Sequence, residues 1–272
     1  MLPSFPAVPS FAIQLRRSLG SDTLKLKRTA ALWLAVAAGV LPVLLVFCMI
    51  WFEGGRILKP GLDPWPEYVR GAWRVATTLL LPLFVVLLAS LLTSIEDQAH
   101  GWKHLHALPV RRGVVWLSKL LVLLALNALA QAWFLALLLV SGLVLAGLRP
   151  EYGFGDYLPP VAPLLALLLR TWVSTLGIAG IQFGLSLWQR GFVLPVGVGI
   201  AGSVAALTLL SWRHIGWIPF AGPMLTLAGV WDKASEPLQV PLTLASHEWR
   251  SLGWLGAALL ATAALQHWRR EE

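Results

Sequence analysis

The sequence predicts an all-α polytopic membrane protein with six transmembrane helices. Of the 272 residues, 57% are hydrophobic and only 12% are charged, whereas soluble domains have about 45–50% apolar and about 25% charged residues. The apolar residues form runs long enough to cross a bilayer core, which takes about 20 residues. Many of the 15 Trp residues flank these runs, as is usual at membrane interfaces.

The first 30 residues form a basic segment before the first apolar run. At 100° per residue its apolar side chains fall on one helix face, which predicts a short amphipathic helix on the membrane surface. These side chains are Phe11, Leu15, Leu19 and Leu26. Asp22 interrupts the face, so a helix break at this point, or an ordinary basic flank before the first span, is the alternative.

Six apolar runs have the character expected of transmembrane helices. They cover residues 31–52, 75–95, 120–147, 161–187, 192–210 and 249–268. The third run can extend back to Val114 as one continuous helix. Residues 53–74 are expected to be a loop rich in Gly, Pro and Trp, with Trp65 and Trp73 at the membrane interface.

One apolar segment, residues 215–230, does not qualify as a span. Pro219 and Pro223 interrupt it, and it is too short to cross the bilayer. We therefore expect a re-entrant or interfacial segment before the sixth span. The whole chain, residues 1–272, is expected to be a single transmembrane domain.

The distribution of positive charge orients the spans. Six spans place both termini on one side, where 12 of the 21 Lys and Arg residues then lie, against 8 on the opposite side and Arg170 within a span. Cytoplasmic loops are enriched in Lys and Arg, so both termini are predicted in the cytoplasm. This orientation accounts for the net charge of +8 without nucleic-acid binding.

Five polar side chains within the spans are candidates for lining a pathway. Arg170 is a charge at membrane depth, and such residues usually face a partner or a water-filled cavity. The alternative is that Arg170 lies at the headgroups and its span begins later. Asn127 with Gln131, and Gln182 with Ser186, have i, i+4 spacing. Pairs at this spacing either join helices or line a path.

The polar segment of residues 96–119 lies between the second and third spans, on the cytoplasmic side. It can form about three helical turns before Pro109 ends the helix. Trp102, Leu105 and Leu108 then share one face. Trp is a frequent anchor of protein interfaces, so we expect this face to dock on a partner.

Catalytic chemistry has little support in the sequence. The chain contains no phosphate-binding G-x-x-x-x-G-K-[ST], no G-x-S-x-G and no H-E-x-x-H, so we expect no catalytic residue. His100 and His104 share a helix face that could ligate zinc. No Cys is near and His106 lies off that face, so we expect a solvated helix that touches a partner, and no metal.

The segment of residues 96–119 resembles the ABC-2 type permeases, the membrane subunits of exporters whose ATPase is a separate polypeptide. The residues that carry the resemblance are Glu96, Gly101, Trp102, Lys103, Leu108, Pro109, Val110 and Lys119. Residues 25–29 followed by Trp33 are similar to the family's entry to the first span. The fourth and fifth spans resemble the bacitracin and lantibiotic self-immunity branch. The matching residues there are Ile181, Gln182, Leu185, Ser186, Phe192, Gly197 and Gly199, with Ile218 and Pro219 further on.

The resemblance implies a role for each part of the chain. The loop between the second and third spans would be a coupling helix, and the N-terminal surface helix a connecting helix. Two permeases, identical or homologous, would assemble with two ATPase subunits. ATP and Mg would bind to those partners, and this chain would bind no cofactor. The substrate would be a peptide, lipid or drug-like amphiphile exported across the bacterial inner membrane.

The coupling role is expected from residues within or beside the loop, and two other functions stay open. The expected coupling residues are Glu96, Gly101, Trp102, Lys103, Leu105, Leu108, Pro109 and Lys119. A membrane enzyme could instead use the His and Glu residues of the loop, and it would be active without an ATPase. A membrane protein that only recruits partners through the loop would bind them without transport.

Overall fold

The structure is a computed structural model that describes residues 10–26, 29–98, 112–189, 191–230 and 238–268. Within these ranges every regular element is helical. We number the α-helices in chain order: α1 Phe11–Leu26, α2 Ala30–Ile57, α3 Trp65–Val75, α4 Leu81–Gln98, α5 Arg112–Leu148, α6 Val161–Trp188, α7 Val193–Thr208, α8 Gly222–Val230 and α9 Ser246–Trp268. The predicted all-α class is confirmed.

Four helical stretches among the described residues are long and apolar enough to cross a membrane. They are Ala30–Ile57, Trp65–Ser94, Gly113–Leu148 and Val161–Trp188. They coincide with the first four predicted spans. Helix α7 has 16 residues, which is short for a span, and α9 begins with polar and charged residues. The count of six spans is therefore not confirmed.

The predicted loop of residues 53–74 is wrong at both ends, because α2 continues to Ile57 and Trp65 begins another helix. The Asp63 carboxylate accepts the backbone N–H of Trp65 at 2.9 Å, in an Asx turn that leads into the start of α3. Trp65 and Trp73 are buried inside the protein and not exposed at its surface. They recur at helical spacing with Tyr68 and other apolar residues, so α3 has one face that packs on the rest of the bundle.

Helices α3 and α4 are joined by a π-helical turn, Ala76–Leu80, in which the N–H of Leu81 donates to the carbonyl of Ala76. Pro82 follows directly and has no N–H to continue the α-helical pattern. The wider turn next to the proline keeps the helix continuous. The result is one long helical stretch where the sequence predicted a loop and a shorter span.

The described part of the N-terminal segment forms one unbroken helix over residues 11–26. Helix α1 runs through Gly20 and Asp22 to Leu26, and it packs on the beginning of α5. Helix α5 is continuous over 37 residues from Arg112, which confirms that the third run extends back beyond Val114.

The segment between α7 and α9 contains two 3₁₀ turns, Ile215–Trp217 and Pro219–Ala221, followed by α8. A Cβ on Gly222 would lie 2.8 Å from the carbonyl oxygen of Ser174, near the middle of α6. Further along α8, Thr226 contacts the first turn of α9. The segment therefore packs against the middle of the bundle and returns antiparallel to α6.

Two apolar clusters form the core, with polar residues at their boundary. One cluster contains Phe84, Leu123 and Phe183 among others. The other includes Trp65, Trp73 and neighbouring residues of α2, α5 and α6. Buried polar side chains lie where the two clusters meet. We call this group the polar layer, and it consists of Thr77, Asn127, Gln131, Thr171 and Thr175.

Candidate functional site

An ion pair joins α6 to the start of α9 inside the protein. Arg170 Nε lies 2.9 Å from Oε1 and 3.2 Å from Oε2 of Glu248. Glu248 is fully buried and Arg170 is 5% exposed. Arg170 Nη1 also donates to the carbonyl of Pro241 at 3.3 Å. The charge that the sequence places alone within a span therefore has a partner 78 residues further along the chain.

Other groups around Glu248 complete a buried polar network. The backbone N–H of Ala245 donates to Oε2 at 2.7 Å, and the Thr226 hydroxyl donates to Oε1 at 3.2 Å. Thr226 Oγ1 also lies 3.0 Å from Nε2 of His247, which precedes the sixth predicted span.

This network holds three elements together. Arg170 Nε lies within hydrogen-bonding distance of both carboxylate oxygens of Glu248, and each oxygen has one further donor nearby. A buried ion pair is tolerated when its charges are paired and its remaining hydrogen-bonding capacity is used. Because Thr226 belongs to α8, the pair fixes the segment between α7 and α9 against α6.

The polar layer contains hydrogen bonds between helices. Asn127 Nδ2 on α5 donates to Thr175 Oγ1 on α6 at 2.8 Å, and Gln131 Nε2 donates to Asn127 Oδ1 at 3.1 Å. Trp73 Nε1 on α3 donates to Thr171 Oγ1 on α6 at 3.0 Å. The candidate pathway residue Asn127 therefore joins α5 to α6 in this structure.

Gln182 and Ser186, the second predicted polar pair, are buried on α6. Neither amide atom of Gln182, nor the hydroxyl of Ser186, has a hydrogen-bond partner among the described residues. A Cβ on Gly199 of α7 would lie 2.9 Å from Gln182 Nε2 and 2.2 Å from Val86 Cγ1 of α4. The pair thus lies where α4, α6 and α7 approach closely.

A second charged contact ties α1 to the first turns of α5. Ser118 Oγ donates to Asp22 Oδ2 at 2.5 Å, and Lys119 Nζ lies 3.7 Å from Asp22 Oδ1. The side chains of Asp22 and Lys119 are 11% and 6% exposed. Lys119, one of the expected coupling residues, therefore contacts the N-terminal helix in the structure.

The other expected coupling residues cannot be placed. Gly101, Trp102, Lys103, Leu105, Leu108 and Pro109 lie outside the described residues, as do His100, His104 and His106. Glu96 belongs to α4, but its side chain is not among those described. Within the described part of the chain, no group of three or more His, Cys, Asp or Glu side chains could hold a metal ion.

A comparison with protein families decides the class of this chain. The family model described as ABC-2 family transporter protein matches residues 19–206. The chain belongs to the ABC-2 transporter family. The match extends from α1 to the end of α7, so it includes Asp22, Lys119 and Arg170 but not Glu248. The family makes this chain the membrane component of a transporter.

Searches of curated proteins and of solved structures gave no significant match to this ABC-2 family protein. The self-immunity branch that the fourth and fifth spans resemble is not confirmed by the family match.

The sequence did not identify the partners of Arg170 and Lys119. Glu248 was counted only as a charge beside the last span, and Asp22 was interpreted as an interruption of the apolar face of the N-terminal helix. Glu248 is an acid at the start of the last apolar helix, and a buried Arg requires such an acid. The sequence could therefore have indicated Glu248 as the partner of Arg170. For Asp22 the signal was its position among the apolar side chains of α1.

Proposed function

We propose that this ABC-2 family protein is the permease of an ATP-binding cassette exporter driven by a separate ATPase. The proposal assigns two ATPase subunits and a second permease, identical or homologous, to the complete exporter. ATP and Mg bind to the ATPases, and this chain carries no catalytic residue. The exporter operates in the bacterial inner membrane.

The observation that carries the proposal is the contact of Asp22 with Ser118 and Lys119. This contact joins α1 to α5 at a point a few residues beyond the start of α5. The segment 99–111 connects α4 to that start. A motor bound to that segment would act directly on both helices. The family match supplies the independent support, because it covers both sides of this contact.

Helix α5 is suited to transmit such a movement. Its 37 residues correspond to a length of about 55 Å at 1.5 Å per residue. It packs on α2 over much of its length and also contacts α1 and α6. A displacement at Arg112 would therefore reach the polar layer and the opposite end of the bundle without a flexible link.

The proposed topology has six spans with both termini in the cytoplasm. Helices α7 and α9 would be the fifth and sixth spans, and the segment between them would re-enter the membrane from outside. Support comes from Gly222, which packs on Ser174 at the middle of α6. Pro219 likewise lies where a Cβ on Gly177 would be 3.2 Å away. Segments without a continuous helix are tolerated at membrane depth when they are buried in protein.

A peptide, lipid or drug-like amphiphile is the proposed substrate, in line with the self-immunity branch. The apolar exterior of the helices places the permease in contact with lipid, from which such a molecule would reach it. Leu44, Leu143 and Val204 are among many large apolar side chains on the surface, and such a surface faces lipid in a membrane protein.

Co-purification tests the proposal. The chain would be expressed with an ABC ATPase encoded beside it in the same genome and captured by a tag on the permease. We expect the ATPase to be retained in stoichiometric amount and to show increased ATP hydrolysis. Retention without stimulation would favour a recruiting protein. Absence of binding, or a hydrolytic activity of the permease alone, would contradict the exporter.

A further inference from the structure

The amide of Gln131 on α5 is oriented by a chain of hydrogen bonds. Its Nε2 donates to Asn127 Oδ1, and Asn127 Nδ2 donates to Thr175 Oγ1. The hydroxyl of Thr175 in turn donates to the carbonyl of Trp172 at 2.6 Å. Since a hydroxyl has one proton, Thr175 must accept from Asn127. These hydrogen bonds fix the orientation of the Gln131 amide and leave its Oε1 as an acceptor without a partner in the chain of hydrogen bonds.

This carbonyl oxygen is buried and has no hydrogen-bond partner among the described residues. Gln131 as a whole is only 4% exposed. An unpaired acceptor inside a protein costs free energy, and buried polar atoms almost always have a partner. Gln131 Oε1 is therefore expected to accept a hydrogen bond from a bound molecule.

A cavity of about 20 Å³ lies beside Gln131 in the polar layer. A space of this size holds one water-sized group, which needs about 10–15 Å³ on this measure. The helical stretch from α3 to α4, together with α2, α5 and α6, surrounds it. Its lining includes Ala38, Trp73, Thr77, Gln131, Phe134 and Thr171.

The oxygen atoms that line the cavity can only accept hydrogen bonds, whereas the Gln131 amide keeps a second N–H as a donor. Thr77 Oγ1 uses its proton on the carbonyl of Trp73, and Thr171 Oγ1 uses its proton on the carbonyl of Leu167. The indole N–H of Trp73 is bound to Thr171. These hydroxyl oxygens and Gln131 Oε1 match a ligand group that donates hydrogen bonds. Because the rest of the lining is apolar, that group should carry no charge.

The cavity also reaches toward the surface of the bundle. Ala38 on α2, Leu80 in the π-helical turn and Leu168 on α6 all line it and are only partly buried. In a membrane protein this side faces the lipid. A hydroxyl group could therefore enter from the membrane, carried by a larger molecule whose apolar part stays outside.

We propose that this cavity binds a neutral O–H donor at Gln131 Oε1. The donor is either a water molecule or the hydroxyl of a membrane-embedded amphiphile. Water and an amphiphile would both present an O–H group to Gln131 Oε1. Only the amphiphile would have an apolar part that extends out of the cavity. The site does not depend on an ATPase partner, so it stands even if the proposed exporter function fails.

A high-resolution cryo-EM map of the full-length chain in lipid nanodiscs tests the site. We expect a density peak at hydrogen-bonding distance, about 3 Å, from Gln131 Oε1. An isolated peak identifies water. A peak continuous with elongated density that passes Ala38 identifies an amphiphile. No peak at Gln131 in the unaltered protein overturns the proposal.

Two variants make the test specific. Ala38→Leu places a larger side chain in the cavity, whereas Ala37→Leu changes the exposed neighbouring residue of the same helix. The peak should vanish in Ala38→Leu and persist in Ala37→Leu. The thermal midpoint of Ala38→Leu should be the lower of the two, because the cavity acceptors lose their donor. A peak that persists in Ala38→Leu, or equal midpoints for the two variants, would count against the site.

Discussion

Arg170 on α6 and Glu248 on α9 form a buried ion pair, with Arg170 Nε 2.9 Å from Glu248 Oε1. The pair is also the point at which α8 is fixed, through the Thr226 hydroxyl. Removing two charges from water is costly, so the pair is stable only while both members are present. The stability lost when the pair is broken therefore measures how strongly α8 and α9 are attached to α6.

Loss of one charge should destabilise the protein more than loss of both. Glu248→Gln leaves Arg170 buried without a counter-charge, and such changes cost about 3–5 kcal/mol. The double variant Arg170→Met with Glu248→Gln should be more stable than Glu248→Gln alone, because no unpaired charge is left buried. Thermal unfolding in detergent measures the series.

The exposed pair Arg56 and Glu53 is the matched control for that series. Its nitrogen–oxygen distance is 3.1 Å, but its side chains are 85% and 51% exposed. Exposed ion pairs contribute about 0.2–1 kcal/mol, so Glu53→Gln should hardly move the midpoint. Equal shifts for the two glutamine variants would contradict the structural role of Glu248.

Two glycines of α7 should respond in opposite ways to the same substitution. A Cβ on Gly199 would lie 2.2 Å from Val86 Cγ1, whereas nothing lies within 4 Å of a Cβ on Gly197. Gly199→Ala should lower stability by about 1–3 kcal/mol through overpacking. Gly197→Ala should leave it unchanged or raise it by up to about 1 kcal/mol, since Ala favours helix. The unfolding midpoints of the two variants test this difference, and equal midpoints would contradict the close packing at Gly199.

The sequence predicted the long helices well and the contacts between them poorly. Apolar runs mark α2, α5 and α6 directly, because a span must be apolar throughout. Helix α3 was missed, since Gly, Pro and Trp around it resemble a loop. Its signal was the recurrence of Trp65, Tyr68, Val69, Ala72 and Trp73 at helical spacing.

The polar contacts depend on packing that the sequence does not specify. Asn127 and Gln131 were recognised as a pair from their i, i+4 spacing. Their partner Thr175, 48 residues away, follows only from how α5 lies against α6. The same holds for Arg170 with Glu248, and for Asp22, whose position in α1 suggested a break until Ser118 supplied its hydrogen bond.

Membrane orientation can be checked with reporter fusions. Lys and Arg favour the side of the N-terminus, so alkaline phosphatase fused after Arg112 should be inactive in the cytoplasm. The same reporter fused after Gly155, between α5 and α6, should be active outside. The opposite pattern at these two positions would invert the topology.

The contact of Asp22 with Lys119 should influence coupling to the ATPase. Asp22→Asn removes the charge and should reduce stimulated ATP hydrolysis by the assembled exporter. Asp22→Lys combined with Lys119→Asp restores opposite charges and should recover part of the activity. Arg16→Gln, on the exposed side of α1, is the control and should have no effect. Failure of the charge exchange to recover any activity would argue that the ion pair has no role in coupling.

The most direct test of the exporter function is the ATPase activity of the complex with Trp102 replaced. Trp102→Ala removes the expected anchor of the coupling helix, and Gly101→Pro prevents that helix from forming. Both variants should reach the membrane at normal levels and lose stimulation of the partner ATPase. Stimulation equal to that of the unaltered permease in both variants would contradict the claim that the segment between α4 and α5 receives the movement of an ATPase.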